Sequence, residues 1–356
     1  MAILVDPGTS FEASSSADLA APSAPARTLP PARTAAPPAH PLPPAPAVAG
    51  ARTAPAPAAR AVSPTHTVDL PPWHPSAPSP AWAPVDVEPL PAPQAPRSLP
   101  YGAHRGPWAI AHRGGLANAP ENTAEAFARA SAVGLTYLET DVRVTADGVA
   151  VAFHDATLDR VTELTGPVST RTWAELAATP VLGGGPVARI EDLLAWFPDA
   201  RFIIDIKEAA AIGPLVAAVR RTRAADRVCV AGGFDGWLAE LRDRAGVTSA
   251  LGWQSLFRLY VAAMSGTHPP RRLAEGGAFA HAAWRLNQLV IMGNPRVAGR
   301  LVGMAHDLGL RVVAWTVDAP ADVRCLLDQG VDGIIADDAA QLVRTFRSGG
   351  LAPTGA

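Results

Sequence analysis

Two acidic residues, Glu139 and Asp141, stand two positions apart in an apolar stretch that predicts a β-strand. Side chains alternate between the faces of a strand, so both carboxylates point the same way and Thr140 points the other. Two carboxylates on one buried face repel each other unless a cation or a proton lies between them. Asp205 ends another apolar stretch, and three such carboxylates suit a hard cation, Mg²⁺ or Ca²⁺. The alternative is a solvated acidic pair at a strand edge.

Two histidines, His112 and His154, each follow a predicted strand. Cleavage of a phosphodiester needs a base to activate the nucleophile and an acid to protonate the leaving alkoxide, and two imidazoles can supply both near neutral pH. Arg113 and Lys207 add positive charge, and arginine can bind phosphate oxygens with two parallel hydrogen bonds. For Lys207 alone, the alternative is an ordinary surface lysine after a strand.

The elements that must position these residues follow a βα rhythm. From Trp108 onward, short apolar runs alternate with amphipathic stretches, which predicts a parallel sheet with helices between its strands. The predicted strands are 108–111, 137–142, 149–154, 201–206, 228–231, 310–317 and 333–336, while 249–252, 278–282 and 288–292 compete as further short strands. We predict a TIM-type (β/α)8 barrel, whose chemistry lies at the carboxyl ends of its strands.

The N-terminal part of the chain predicts no packed core. Of the 37 prolines, 25 fall within the first 100 residues, among alanine, serine and threonine. Proline cannot donate to helix or sheet hydrogen bonds, and few large apolar residues are available to offset the entropy of ordering. We therefore predict a disordered Pro/Ala-rich segment over 1–105, a barrel domain over 106–348 and a flexible tail over 349–356. The N-terminal segment is interpreted either as a tether or as a leader without function.

Composition excludes several classes of protein. The net charge is −2 and no basic stripe is present, so nucleic-acid binding is not expected. The N-terminus lacks the charged and apolar regions of a secretory signal, and no run of about 18 apolar residues predicts a transmembrane helix. A cytoplasmic protein is the default expectation. Cys229 and Cys325 lie in apolar runs without metal-type spacing and are interpreted as small core residues.

Short motifs in a fixed order carry a family resemblance. They are Ala-His-Arg-Gly at 111–114, Pro-Glu-Asn-Thr at 120–123, Glu-Thr-Asp-Val at 139–142 and Phe-His-Asp at 153–155. With Asp-Ile-Lys at 205–207, Trp-Thr-Val at 315–317 and Gly-Val-Asp-Gly-Ile-Ile at 330–335, they resemble the glycerophosphodiester phosphodiesterase family over residues 107–346. An earlier Ala-His-Arg-Gly at 103–106 follows proline-rich sequence instead of a strand, which favours the second copy.

The resemblance implies a phosphoric diester hydrolase on a TIM barrel, and it implies a role for each candidate residue. The implied roles are the acid–base pair for His112 and His154, divalent-metal ligands for Glu139, Asp141 and Asp205, phosphate contacts for Arg113 and Lys207, orientation of the arginine for Glu121 and lining of the substrate pocket for Trp315. Asp205 departs from the glutamate that is more usual, and Asp318 from a frequent asparagine. Asp337 and Asp338 are interpreted as the N-terminal cap of a helix.

The expected reaction is metal-dependent hydrolysis of a glycerophosphodiester to glycerol 3-phosphate and an alcohol. Two alternatives stay open: a phospholipase D-like or lysophospholipase D activity on a lipid phosphodiester, and a non-catalytic barrel that binds a phospholigand. The expected partner is a small-molecule glycerophosphodiester, and transient contact with a membrane surface is compatible with the sequence. The oligomeric state is left open.

Overall fold

The computed structural model describes residues 101–103, 106–283, 285–286, 289–290 and 294–352. The predicted disordered segment and flexible tail lie mostly outside the described residues, as do His104 and Arg105 of the earlier Ala-His-Arg-Gly copy. The barrel prediction falls almost entirely within them.

Eight parallel strands form the predicted barrel. The described strands are β1 (Trp108–Ala111), β2 (Tyr137–Val144), β3 (Ala150–Ala152), β4 (Arg201–Ile206), β5 (Val228–Gly232), β6 (Thr248–Ser249), β7 (Phe279–Ala283), β8 (Arg285–Leu286), β9 (Leu289–Val290), β10 (Arg311–Trp315) and β11 (Gly333–Ala336). The barrel strands follow the order β6-β5-β4-β2-β1-β11-β10-β7. Between its two ends, Leu251 N–H donates to Phe279 O over 2.8 Å and Ala278 N–H to Ser249 O over 2.9 Å. These bonds close the barrel.

Helices follow most of the strands and cover the outside of the barrel. The described α-helices are α1 (Ala124–Ala132), α2 (Trp173–Ala177), α3 (Ile190–Trp196), α4 (Ile212–Arg221), α5 (Asp235–Ala245), α6 (Trp253–Ser265), α7 (Pro295–Asp307), α8 (Pro320–Asp328) and α9 (Ala339–Ser348). Helix α1 begins where the Thr123 hydroxyl accepts a hydrogen bond from Ala126 N–H. Among the described residues, no helix is long and apolar enough to cross a bilayer.

The strand predicted at 149–154 does not belong to the parallel series. The structure has only Ala150–Ala152 in β3, which pairs antiparallel with the end of β2 in a hairpin. The hairpin forms because β2 continues to Val144 and a turn at Asp147 and Gly148 then reverses the chain. Its return arm brings Phe153 back to Asp141, whose carbonyl oxygen accepts the Phe153 N–H. His154 therefore reaches the end of β2 by a different route from the one the sequence suggested.

The three competing runs between 249 and 292 have different outcomes. The first two correspond to β6 and β7, and both are barrel strands. In the third, Leu289–Val290 pairs antiparallel with Arg285–Leu286 in a separate two-stranded ribbon. The remaining residues of that third run lie outside the described residues.

Alternation along each strand separates two apolar layers. Leu138 and Val142 of β2 face the helices, whereas Tyr137 faces the barrel interior. The end of the interior near the start of the strands is filled by aromatic rings: Trp108 stacks on Tyr137 at 5.5 Å, and Tyr101 meets Phe279 edge-on at 5.0 Å. Because this end is packed with rings, the polar inward positions are left for the opposite end, the barrel mouth.

Candidate active site

The loop after β1 brings two candidate residues to the mouth. Arg113, Gly114 and Gly115 all have positive φ, at 50°, 83° and 91°. A left-handed conformation is costly for arginine and persists only where the surroundings enforce it. Here the Arg113 N–H donates to Glu139 Oε2 over 2.9 Å, and the Arg113 carbonyl accepts Asn122 N–H over 2.9 Å. The tight turn thus points the backbone N–H of Arg113 at the Glu139 carboxylate of β2.

His112 lies between two carboxylates. Its Nδ1 atom is 2.6 Å from Asp337 Oδ1, and its Nε2 atom is 3.8 Å from Glu139 Oε2. Burial alone would lower the pKa of His112, but the hydrogen bond with Asp337 and the charge of Glu139 outweigh it and raise this pKa above its usual value. Asp337 thus holds Nδ1, and Nε2 is the ring nitrogen on the side of Glu139.

The three predicted carboxylates share the inward face. Glu139 and Asp141 alternate with outward residues of β2, and Asp141 is paired in register with Asp205 of β4. Glu139 and Asp141 are buried, at 5% and 1% exposure. Asp141 Oδ1 and Asp205 Oδ2 lie 3.0 and 2.7 Å from Lys207 Nζ. Lys207 is thus an internal cation at the mouth and not the ordinary surface lysine of the alternative interpretation.

The two carboxylates of β2 are compensated unequally. Burial, and then the charge of Asp141, raise the pKa of Glu139 to about 7. Burial acts in the same direction on Asp141, but the charges of Lys207 and Arg113 outweigh it and hold the pKa of Asp141 well below its usual range. Asp141 Oδ2 also accepts a hydrogen bond from Asn122 Nδ2 over 3.0 Å. Glu139 forms no ion pair with a lysine or arginine among the described residues, so it is the group short of positive charge.

The unequal compensation of Glu139 and Asp141 bears on whether these residues fit a divalent cation. Among the described residues, no three metal-binding side chains stand close enough together to form a complete site. The donors are nevertheless of the right chemistry, since Mg²⁺ and Ca²⁺ take carboxylate oxygens. A buried glutamate whose pKa rises to about 7 is a position where a cation would relieve an unfavourable charge. Glu139, with Asp141 and Asp205, therefore fits the predicted metal by charge and ligand type.

His154 is held by a chain of ion pairs. Its Nδ1 atom is 2.6 Å from Asp155 Oδ1, and Arg160 Nε donates to Asp155 Oδ2 over 2.6 Å. Arg160 also donates to both oxygens of Glu121, at 2.8 and 2.7 Å. Burial lowers the pKa of His154 below its usual value, although the charge of Asp141 opposes this. The pKa directions of the two histidines are therefore opposite.

Glu121 joins the two halves of the site. Its Oε1 atom accepts Arg113 Nη1 over 2.9 Å, and Arg113 Nε lies 3.3 Å from Asp141 Oδ2. The contact joins Glu121 to the arginine that the family resemblance implies it orients. Trp315 alone stands apart: its indole N–H donates to the His281 carbonyl over 3.2 Å, and its ring meets Trp253. It is the last residue of β10, at the mouth end of that strand.

Sequence reasoning missed three residues that position the site. Asp337 was interpreted as a helix cap, but only Asp338 caps α9, by accepting Gln341 N–H over 2.8 Å. Asp337 instead binds His112, because β11 ends beside β1 and an inward position follows Ile335. Asn122 and Arg160 were not singled out. The Phe-His-Asp motif followed at short range by an arginine was the available signal for Arg160.

Two further observations concern charge. Asp318 does not face the network: its Oδ1 atom accepts the N–H groups of Asp337 and Asp338 at 2.8 and 2.9 Å. It therefore shapes the turn that presents Asp337. Lys207 is also the only lysine in the sequence, against 29 arginines, which is a composition signal that its position after β4 is special. An ammonium ion is a compact charge that fits between two carboxylates.

Two imidazoles, inward carboxylates and half-buried cations lie at the mouth of a (β/α)8 barrel. This combination defines a barrel enzyme of the kind that acts on phosphate esters. A sequence model of the glycerophosphoryl diester phosphodiesterase family matches residues 112–341. The chain is 36% identical over 245 residues to a protein of Mycobacterium tuberculosis named as a probable glycerophosphodiester phosphodiesterase 2, covering 66% of this chain and 89% of that protein.

Two further similarities agree. The chain is 29% identical over 255 residues to a glycerophosphodiester phosphodiesterase of Caldanaerobacter subterraneus, covering 68% of this chain and 98% of that protein. The fold is similar to a phosphodiesterase of Oleispira antarctica solved with the product sn-glycerol-3-phosphate, at a TM-score of 0.56 and 19% identity, covering 68% of this chain and 97% of that one. The chain belongs to the glycerophosphoryl diester phosphodiesterase family and is a phosphoric diester hydrolase.

Proposed function

We propose that this enzyme hydrolyses glycerophosphodiesters to glycerol 3-phosphate and an alcohol, with His112 and His154 as its proton-transfer groups. The observation that carries the proposal is the matched setting of the two imidazoles. Each has Nδ1 at 2.6 Å from an aspartate, which leaves Nε2 as the reactive nitrogen of each ring. The Oleispira relative with bound sn-glycerol-3-phosphate supports the choice of a glycerol 3-phosphate product.

The two histidines would divide the proton transfers between them. One imidazole would remove a proton from the nucleophile as its oxygen bonds to phosphorus, and the other would protonate the alcohol oxygen as its bond to phosphorus breaks. The nucleophile is water, or the glycerol hydroxyl through a cyclic intermediate that water then opens.

Charge at the phosphate is the second requirement. Arg113 and Lys207 are half-buried cations at the mouth, and they would bind the non-bridging phosphate oxygens as negative charge develops on them. Glu139, Asp141 and Asp205 would hold a divalent cation, Mg²⁺ or Ca²⁺, which supplies Lewis-acid stabilisation of the same oxygens. Glu121 and Arg160 keep Arg113 and Asp155 in place.

The test is a coupled assay for glycerol 3-phosphate on a small panel of diesters, with Mg²⁺, Ca²⁺ or EDTA added. His112→Ala and His154→Ala are each expected to reduce turnover at least about 100-fold without lowering the melting temperature. His306→Ala is the matched control, since His306 also binds an aspartate, Asp332 at 2.8 Å, but at the opposite end of the barrel. Near-normal turnover in either mouth variant contradicts the assignment.

The same assay separates the alternatives. Faster release of head group from a lysophospholipid than from a glycerophosphodiester favours lysophospholipase D activity. Binding of the diester without product, even at high enzyme concentration, favours a non-catalytic barrel. Unchanged turnover in EDTA contradicts metal dependence while leaving the histidine assignment intact.

A further inference from the structure

Exposed apolar side chains gather on one helix outside the site. Seven large apolar residues are exposed in the described part of the chain, and four of them lie on α6: Trp253, Phe257, Val261 and Met264, at 41% to 56% exposure. Spacings of four, four and three residues place all four on one face of the helix. Scattered exposed apolar residues need no explanation, but a contiguous patch marks an interaction surface.

The opposite face of α6 already packs on the barrel. Leu256, Leu259 and Ala263 are buried there. The exposed stripe is therefore not needed for the contact between α6 and the barrel, and it leaves the helix apolar on two sides. Exposed Phe, Met and Val side chains in water are unfavourable unless a partner covers them.

The chain segment that carries the stripe is rich in arginine. Between Val247 and His306 the sequence has six arginines and one carboxylate, Glu275, although the whole chain has a net charge of −2. Arg258, Arg271 and Arg272 are exposed and form no ion pair with another described residue. Three exposed arginines on other helices do form ion pairs: Arg129 with Glu125, Arg221 with Glu191 and Arg244 with Glu240.

The stripe is continuous with the barrel mouth. Trp253 is the first residue of α6, and its ring lies 6.2 Å from the ring of Trp315 in an edge-on contact. Because α6 follows β6, its N-terminal end lies at the mouth and the stripe runs from there down the side of the barrel.

We propose that one surface, here called the α6 surface, docks the barrel on an anionic membrane. It consists of Phe257, Val261 and Met264 together with Arg258, Arg271 and Arg272. The apolar side chains would enter the boundary between headgroups and acyl chains, and the arginines would bind lipid phosphates. Trp253 would then lie at the headgroup level, where tryptophan is favoured, with the mouth beside it. That consequence rests on the proposed function: docking would present diesters that carry a lipid chain to the mouth.

Charge favours a membrane over a second copy of the chain. In a two-fold interface the same patch meets itself, so Arg258, Arg271 and Arg272 of both copies would be gathered in one interface. Like charges brought together at an interface oppose binding. An anionic lipid surface instead complements both the apolar stripe and the unpaired arginines.

The test is co-sedimentation of the full chain with vesicles of phosphatidylcholine alone or mixed with phosphatidylglycerol. We expect binding to the anionic vesicles only, weakened by high salt. Two variants test the two parts of the surface: Phe257→Ser with Val261→Ser and Met264→Ser, and Arg258→Glu with Arg271→Glu and Arg272→Glu. Each is expected to reduce the bound fraction at anionic vesicles at least about tenfold.

The matched control is Trp196→Ser, which removes an exposed aromatic ring from α3 and is expected to leave vesicle binding unchanged. Hydrolysis of a water-soluble diester is expected to be unchanged in all variants, so the binding readout does not depend on the proposed reaction. Absent binding by the wild-type chain, or equal binding by either triple variant, overturns the proposal. So does a wild-type dimer that the apolar variant dissociates, because a second copy would then cover the surface.

Discussion

At the residue scale, the behaviour of the site depends on how each buried charge is compensated. Asp141 is surrounded by Lys207, Arg113 and Asn122, whereas Glu139 receives the backbone N–H of Arg113 and lies 3.8 Å from His112. A buried carboxylate without a cation costs stability when it ionises. Glu139 therefore makes the metal-free protein sensitive to pH in a way that Asp141 does not.

Glu139→Gln tests this directly. The pKa of Glu139 is raised to about 7, so the folded state holds a proton that the unfolded state releases between pH 4.5 and 7. The free energy of unfolding then falls as pH rises through that window, by about 3 kcal/mol. In EDTA at pH 8, Glu139→Gln is expected to melt at a higher temperature than the wild type. Mg²⁺ or Ca²⁺ is expected to stabilise the wild type and not the variant.

Glu240→Gln, on the exposed part of α5, is the matched control and is expected to leave the response to the metal unchanged. If Glu139→Gln retains a metal-induced rise in melting temperature equal to that of the wild type, Glu139 is not a ligand. The measurement needs no turnover, so it remains informative if the reaction differs from the one proposed.

His281 is a second buried titratable group with an opposite effect. It lies on the inward face of β7 at 8% exposure, its Nε2 has no hydrogen-bond partner among the described residues, and burial lowers its pKa to about 4. As the pH falls, His281 binds a proton near pH 6.5 in the unfolded state but only near pH 4 in the folded state. Stability therefore falls as pH drops through that window, by about 3 kcal/mol.

His281→Leu is expected to remove most of this loss. Urea unfolding at pH 4.5 and pH 7, compared between wild type and variant, measures it. A difference between the two pH values that is the same in both proteins contradicts a neutral buried imidazole. Other groups titrate in the same pH range. The result is therefore the difference between wild type and His281→Leu in how much stability each loses from pH 7 to pH 4.5.

At the element scale, two connections decide where the chemistry lies. The β1–α1 loop holds three consecutive residues at positive φ, and in this conformation the backbone N–H of Arg113 donates a hydrogen bond to Glu139. The β2–β3 hairpin returns His154 to the end of the same strand. Both imidazoles are thereby carried by segments whose conformation depends on close contact with β2 or α1, and not by the barrel strands themselves.

Gly114→Ala tests how tightly the first of these loops is held. Gly114 has φ of 83°, and an added Cβ would lie 2.7 Å from the Ala126 side chain and 3.0 Å from the backbone of α1. We expect a loss of about 3 kcal/mol in the free energy of unfolding, from strain and overlap together. Gly148→Ala is the matched control in the β2–β3 turn: its φ is 81° and nothing lies within 4 Å, so only about 1 kcal/mol is expected. Equal losses contradict a tightly packed β1–α1 loop.

At the scale of the whole molecule, the barrel is closed at one end by rings and open to polar groups at the other. Tyr101 is buried at 8% exposure and contacts Tyr137 at 5.3 Å, and its N–H donates to the Asp226 carbonyl over 2.7 Å. It precedes β1 and packs under the barrel from outside the strands. The proposed start of the barrel domain at 106 leaves this residue on the other side of the boundary.

Tyr101→Ala is therefore expected to reduce the free energy of unfolding by about 3 kcal/mol, because a buried aromatic ring is lost. Tyr101→Phe keeps the ring and is expected to change stability by less than about 1 kcal/mol. Thermal and urea unfolding of two shortened chains complete the test. Removal of residues 1–98 is expected to leave stability unchanged, whereas removal of 1–105 should match Tyr101→Ala. Equal stability of the two shortened chains places the boundary at 106.

The sequence alone determined most of the alternation of strands and helices, and it predicted candidate residues for the site. Periodicity is local, so β1, β2, β4, β10 and β11 could be placed from their apolar runs. The spacing of Glu139 and Asp141 established a shared face for the same reason. The family resemblance supplied roles for His112, His154 and Lys207 that periodicity could not.

Only the tertiary structure decided which residues meet across strands that are distant in sequence. Asp337 reaches His112 over 225 positions because β11 and β1 are neighbours in the barrel, and Asp318 shapes that turn from the end of β10. Pairing likewise settled the antiparallel direction of β3. It also decided that β6 and β7 are the barrel strands among the three runs that compete between 249 and 292. Local spacing determines which way a side chain points, but closure of the barrel determines its partners.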